Sequence, residues 1–287
     1  MPIFKIKNKK IKQIPIDLSY FIDEGALRDF FADNLEDLLG LKFLDKEYRT
    51  KDGRIDTIAI DETGAPVIIE YKWGEKDNIL PQGLFYMDWL KENKPLFEFL
   101  VKNKFGKKTK INWDNPRLIL ISQSFDRYTL SAVRQVKNSV ELIEYIPYSS
   151  ELIYLETVYS PDVVKLTEKR TEKGVYDINY HLDKADELIK NNFYYFQEEI
   201  KKWPNVEEKI DQKVGITYRT TKSFVRFEFG KSVLYILLRE PKYNDPRKMV
   251  EDVANRGWGY KGQIKVKTNK DNEYILGLIK QSYESTL

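Results

Sequence analysis

A layered α/β domain followed by a smaller α+β domain is the architecture this sequence predicts, and three observations carry it. Two runs rich in β-branched and apolar residues, Ile55 to Asp61 and Val67 to Lys72, flank Asp61-Glu62-Thr63-Gly64-Ala65-Pro66, a segment with turn chemistry. Apolar residues recur at helical spacing before and after that strand pair. Over Tyr159 to Tyr176, which holds Pro161 and the polar run TEKRTEKG, apolar content falls away, and a new pattern begins near Asp177. The 287 residues therefore divide into a domain over 1–158, a linker over 159–176 and a small α+β domain over 177–287.

The elements follow in order. Ile3 to Ile16 alternates lysines with apolar residues, as an exposed N-terminal hairpin would. Ala26 to Leu39 predicts a helix with Phe30, Phe31, Leu35, Leu38 and Leu39 toward the core, and Asp23 or Glu24 near its start favours the helix N-terminus. The hairpin of Ile55–Asp61 and Val67–Lys72 comes next, then one long helix over Leu80 to Val101. Arg117 to Gln123 reads as a short buried strand, Arg127 to Asn138 as a helix, and Val140 to Tyr145 and Leu152 to Val158 as two strands. Strand-strand-helix-strand-helix-strand suits a layered α/β domain rather than a sandwich.

In the second domain, Leu182 to Trp203 predicts a helix with Leu188, Ile189, Phe193, Phe196 and Ile200 as its apolar face. Phe224 to Phe229 and Val233 to Leu238 are strands joined through Gly230-Lys231. A short helix over Lys248 to Asn255, a Gly-rich turn at 257–262, a strand over Gln263 to Lys267 and a helix over Tyr274 to Tyr283 complete it.

Composition narrows the chemistry. With no cysteine, a disulfide framework, thiol catalysis and cysteine zinc sites are out; the single histidine, His181, leaves no multi-histidine metal site and is expected at a surface or between domains. The absence of a long apolar run and of a signal-peptide pattern makes a cytoplasmic protein without a membrane partner the expectation. Net charge is +3 and close to balanced in both halves, so any polyanion surface must be a local patch. Two lysine clusters qualify: 5, 7, 9, 10 and 12, and 102, 104, 107, 108 and 110, of which Lys107 and Lys108 are the chosen candidates. The bland reading of such clusters is a solvated edge strand or polar loop.

The strand pair holds the residues that carry chemistry. Asp56 opens the first strand, and Glu70-Tyr71-Lys72 closes the second. Glu70 and Lys72 share one strand face. A turn centred near Thr63 sets Asp56 across from Glu70, whereas a one-residue slip would put it on the opposite face. Two facing carboxylates can hold a hard divalent cation, and a neighbouring ammonium can position a hydroxide. Val67, Ile68 and Ile69 make the strand apolar on both faces, and ionised groups there are costly unless they pair or bind metal. A plain Glu70–Lys72 ion pair is the competing reading, and it leaves Asp56 unexplained.

These residues, with Gln82-Gly83-Leu84-Phe85-Tyr86 on the following helix and Glu24 on the preceding one, resemble the PD-(D/E)XK nuclease superfamily, the restriction-endonuclease-like fold, and within it the NucS-type DNA endonucleases. The resemblance covers about the first 157 residues; Ile55 stands in place of the motif's proline, which is often missing in the superfamily. The C-terminal part resembles an uncharacterised domain found attached to such nuclease domains. What the resemblance implies is a mixed sheet flanked by helices and Mg²⁺- or Mn²⁺-dependent cleavage of DNA leaving a 5′-phosphate. A role in DNA repair or in defence against foreign DNA is in keeping with it. Asp56, Glu70, Lys72 and Gln82 map to catalytic positions, with Asp56, Glu70 and Glu24 as metal ligands.

Several roles stay open at this level. Glu24 is either a third acidic group or a helix cap, Tyr86 either packs or touches the nucleic-acid backbone, and Trp73 either stacks on a base or fills a strand end. RNA stands beside DNA as a substrate because both present the same phosphates, and a homodimer is compatible with either. In the second domain Arg219, Lys222, Arg226, Arg239 and Lys261 are phosphate-reading candidates, and Trp258 and Tyr260 either stack on bases or pin a turn. The alternative to an enzyme is a non-catalytic nucleic-acid-binding or assembly module that retains the nuclease fold.

Overall fold

The structure, a computed structural model, describes residues 2–74, 79–107, 109–150, 152–161, 177–210, 214–240, 242–253 and 259–287. By contacts the chain divides into two compact units: Met1–Leu35 with Leu41–Lys169, and Glu36–Gly40 with Arg170–Leu287. Most of the expected linker, residues 162–176, lies outside the described residues.

The first unit starts with the antiparallel hairpin of β1 (Ile3–Lys7) and β2 (Lys10–Ile14), turned through Asn8 and Lys9 in the left-handed region. Ile6 pairs with Ile11 and Lys5 with Lys12, so these isoleucines and these lysines take opposite faces of this exposed hairpin. The helix expected over 26–39 is two: α1 (Glu24–Asp33), in the first unit, and α2 (Leu35–Leu39), which past Leu35 is counted with the second. Asn34 separates them, and its side-chain amide donates to the Phe30 carbonyl (2.8 Å), closing the end of α1.

The sheet of this unit runs in the order β3 (Lys42–Thr50), β4 (Gly53–Ile60), β5 (Pro66–Tyr71), β6 (Arg117–Ser122), β7 (Ser139–Tyr148), β8 (Leu152–Tyr159). β3, β4 and β5 are antiparallel, β5, β6 and β7 parallel, and β8 returns antiparallel on β7. Parallel neighbours require crossovers. α3 (Ile79–Glu92) and α4 (Lys94–Phe105) link β5 to β6, and α5 (Arg127–Ala132) with a short 3-10 turn links β6 to β7. The single helix expected over 80–101 breaks at Asn93 because Pro95 lies in the first turn of α4: proline is tolerated there and not in a helix interior.

Helices cover both faces of the sheet. On one side α3 approaches so closely that a Cβ on Gly83 would lie 2.8 Å from Leu118, and the face it covers includes Glu70 and Leu120. On the other side Phe31 of α1 meets the Tyr71 ring, centroids 5.6 Å apart. β5 and β6 are buried along their whole length, as their unbroken apolar runs require. The protein is thus α/β in its first unit, with a mixed six-stranded sheet flanked by helices, as expected.

The second unit pairs a six-stranded antiparallel sheet with helices. Its strands are β9 (Glu207–Lys209), β10 (Ile216–Arg219), β11 (Ser223–Phe229), β12 (Leu234–Leu238), β13 (Glu251–Asp252) and β14 (Gly262–Val266), ordered β13-β14-β12-β11-β10-β9. Its helices are α6 (Ile178–Leu182), α7 (Glu187–Ile200) and α8 (Asn272–Glu284). Phe193, Phe196, Tyr218, Phe227 and Ile279 are central to its core. Three expectations are corrected here. The helix expected over 182–203 is confined to α7. Residues 248–252 form no helix, and β13 pairs with β14 instead. His181 is buried rather than superficial, with its ring nitrogen 3.3 Å from the Ile210 carbonyl.

Candidate functional site

The β4–β5 turn decides whether the acidic residues meet. Asp61 accepts from the amides of Thr63 (2.8 Å) and Ala65 (2.9 Å), and Gly64 takes the left-handed conformation (φ 85°) that this tight reversal needs. The register that results pairs Thr57 with Ile69. One step further, Asp56 stands level with Glu70, as expected, and the slipped register is not the one adopted.

At that step the strands part, and side chains take over from the backbone ladder. The Asp56 amide donates to Glu70 Oε1 (3.1 Å), and the Tyr71 amide donates to Asp56 Oδ2 (3.1 Å). Each carboxylate thus closes the other strand's free amide. Gln82, from the first turn of α3, donates to Glu70 Oε2 (2.8 Å). Lys72 lies just past β5; its amide is held by the Ile121 carbonyl (2.8 Å), and its ammonium is 3.2 Å from both oxygens of Glu24. All of this occurs at the carboxyl ends of the parallel strands β5 and β6, where open α/β sheets commonly bind ligands.

The electrostatics are unusual for two acids in a protein interior. Asp56 is 5% exposed and Glu70 fully buried, and neither forms an ion pair among the described residues. Burial pushes the Glu70 carboxyl up to about 9, and the charge of Asp56 adds to the rise. Asp56 is also raised, chiefly by burial and then by Glu24, against the lowering pull of the Tyr71 amide, Lys72 and Arg28. Without a cation, the pair retains a proton well above the ordinary carboxylate range. This donor set fits a hard divalent ion: oxygen ligands, two negative charges when deprotonated, and a cost of burial that such an ion would offset.

Other expected site residues fall differently. Glu24 is not the cap: Asp23 is, accepting from the Ala26 amide (2.7 Å). The Glu24 carboxylate is paired with the Lys72 ammonium; among the described residues no group of three or more acidic or histidine side chains is arranged to hold a metal ion. Tyr86 is buried at 6% exposure, and its hydroxyl accepts from the Arg54 amide (3.0 Å), so it braces β4 instead of facing a nucleic acid. Trp73 is partly exposed, but its indole N–H is fixed on the Phe21 carbonyl (2.7 Å). Of the second lysine cluster, Lys102 pairs with Glu98 and Lys104 donates to the Leu44 carbonyl, whereas Lys107 is exposed; Lys108 lies outside the described residues.

In the second unit the basic candidates are mostly engaged internally. Arg219 donates to the carbonyls of Thr220 and Thr221, and Arg239 to that of Ser223. Arg226 is buried, donates to Thr217 Oγ1 (3.3 Å) and lies over the Tyr260 ring. Tyr260 is buried, and Trp258 lies outside the described residues.

What the sequence reading missed is a second charged group beside the carboxylates. Arg28 of α1, Glu47 of β3 and Arg54 of β4 meet there: Glu47 Oε1 is 2.9 Å from Arg28 and 2.7 Å from Arg54. The only signal in the sequence was Arg54, two residues before Asp56 and so on the same strand face.

Comparison with known proteins leaves the chemistry to be argued from these residues. No family model matches the chain. A protein of Haemophilus influenzae strain Rd, described only as uncharacterized, is 27% identical over 301 residues, spanning 98% of this chain and 99% of its own length. The solved EndoMS–dsDNA2 complex is 18% identical over 42% of this chain and 44% of that one, with a TM-score of 0.28. Among the described residues no helix is long and apolar enough to cross a membrane.

Proposed function

We propose that the protein is a divalent-metal-dependent endonuclease that hydrolyses phosphodiester bonds in DNA. One observation carries this reading: two buried carboxylates, Asp56 and Glu70, face each other at the parted ends of β4 and β5 beside the Lys72 ammonium. Asp56 and Glu70 would hold Mg²⁺ or Mn²⁺, with the Tyr71 carbonyl as a further oxygen ligand. When bound, that ion supplies a water of lowered pKa and charge for the phosphate oxygens. Gln82 fixes the orientation of the Glu70 carboxylate, and as a donor it favours the ionised form. Lys72 offers its ammonium to the attacking oxygen and to charge that develops on the phosphate, while Glu24 holds that ammonium in place.

The test is cleavage of labelled single-stranded, duplex and branched DNA, with RNA alongside, in Mg²⁺ or Mn²⁺, wild type beside Lys72→Ala. Metal-dependent cutting that the substitution abolishes supports the enzyme and reports its substrate shape. Binding without cutting in every condition would instead favour a non-catalytic nucleic-acid-binding module, a reading to which the engagement of the Lys72 ammonium by Glu24 lends some weight.

A further inference from the structure

The geometry points to a phosphate subsite formed by Arg28 and Arg54, occupied in the free protein by the carboxylate of Glu47; we propose that a backbone phosphate of the nucleic-acid strand displaces Glu47 from it. The inference rests on the nuclease reading above and specifies where the strand would lie.

Three features support it. Both guanidinium groups converge on a single oxygen, Glu47 Oε1, at 2.9 Å from Arg28 and 2.7 Å from Arg54. A carboxylate oxygen held by two arginines is a close chemical stand-in for a phosphate oxygen, and arginine forks suit both anions. Arg28 is also ready in advance: its Nε and Nη2 both donate to Asp29 Oδ1, at 3.2 and 3.1 Å, which fixes the plane of the guanidinium, and its side chain is only 11% exposed. Arg54 is the open half, 53% exposed, so a ligand can reach the pair from solvent.

The second feature is position. Lys46 pairs with Thr57 and Tyr48 with Ile55, which sets Glu47 level with Asp56 on the adjacent strand. Neighbouring strands are about 4.8 Å apart, so a phosphate in place of the Glu47 carboxylate would be close to one at Asp56 and Glu70. Arg54 is two residues from Asp56 along β4 and projects to the same face.

The third is backbone conformation. Glu47 has φ 54°, in the left-handed region, although it stands inside β3 between two paired residues. A non-glycine residue adopts this conformation at a cost, and such residues concentrate at sites that bind or switch. The contact it secures with Arg54 is an exposed ion pair, which contributes little to folding and exchanges readily for another anion.

The experiment measures binding of a fluorescently labelled DNA duplex and a labelled single strand by anisotropy, over a range of salt. The parent is the full chain carrying Lys72→Ala, in Mg²⁺, so that cleavage does not intervene. With Arg54→Ala added, affinity is expected to fall roughly tenfold and the slope of log affinity against log salt to shrink by about one. With Glu47→Gln added, the competing anion is gone and affinity is expected to rise several-fold. Asp52→Asn, the same charge change at an exposed turn residue outside the contact, is expected to shift affinity less than Glu47→Gln does. Indifference to both Arg54→Ala and Glu47→Gln while the parent binds DNA overturns the subsite and leaves the nuclease reading standing. Equal tightening by Asp52→Asn and Glu47→Gln also overturns it. A parent that binds no DNA at low salt, with a wild type that cuts none, overturns both.

Discussion

The two ends of the first unit's sheet treat buried carboxylates in opposite ways. At the end where β5, β6 and β7 begin, Asp61 and Glu141 are each buried against one buried arginine, Arg117, at 3.3 and 2.6 Å. The two acids hold the guanidinium firmly charged despite its burial. At the end where β5 and β6 finish, Asp56 and Glu70 face each other, and the nearby ammonium of Lys72 is held by Glu24. At the first end a guanidinium is built in between the two acids; at the second, no cation pairs with either carboxylate among the described residues. Buried acids can serve structure where a cation is built in, and are candidates for ligand binding where it is not.

Substitutions at the two ends should therefore separate stability from activity. Arg117→Ala strands two buried acids and is expected to cost about 3–5 kcal/mol in denaturant unfolding. Unfolding at an unchanged midpoint would erase the contrast. Lys72→Ala is expected to lower the rate of metal-dependent DNA cleavage by about 100- to 1,000-fold, with little change in thermal midpoint. A variant that cuts normally would remove the lysine from the chemistry. Gln82→Ala releases one oxygen of Glu70 and is expected to weaken Mn²⁺ binding, measured by calorimetry, by about 10- to 100-fold; unchanged binding would limit Gln82 to packing.

A pH profile sharpens the comparison further. Glu70 has its folded-state pKa raised to about 9 from an ordinary 4.5. The folded state therefore binds the extra proton, and its contribution to stability is complete below pH 4.5 and lost as pH climbs through about 9. In metal-free buffer the melting temperature of the wild type should fall relative to Glu70→Gln across that window. Parallel profiles for the two proteins would show that the carboxyl titrates normally.

Much of the acidic centre was legible because it is local. Thr63 lies midway between Asp56 and Glu70, so a tight turn there leaves few registers, and the apolar run of β5 declares burial on both faces. The Arg28–Glu47–Arg54 group was not legible, since its members come from three elements and β3 gave no strand signal: Lys42, Asp45, Lys46, Glu47 and Arg49 crowd an edge strand whose pairing is fixed only by β4. Breaks at Asn34 and Asn93 were hidden by apolar spacing that runs through them, although Pro95 was a visible warning. His181 was misplaced because a single polar residue says nothing about the carbonyl that receives it.

The exchange of backbone ladder bonds for carboxylate bonds at Asp56 and Tyr71 gives the main chain itself a view of the site. Those two amides hang on oxygens whose electron density changes when a proton leaves, and would change if a cation bound as proposed. Their NMR shifts and deuterium-exchange rates would then be native meters of occupancy, readable with no substrate, no label and no turnover.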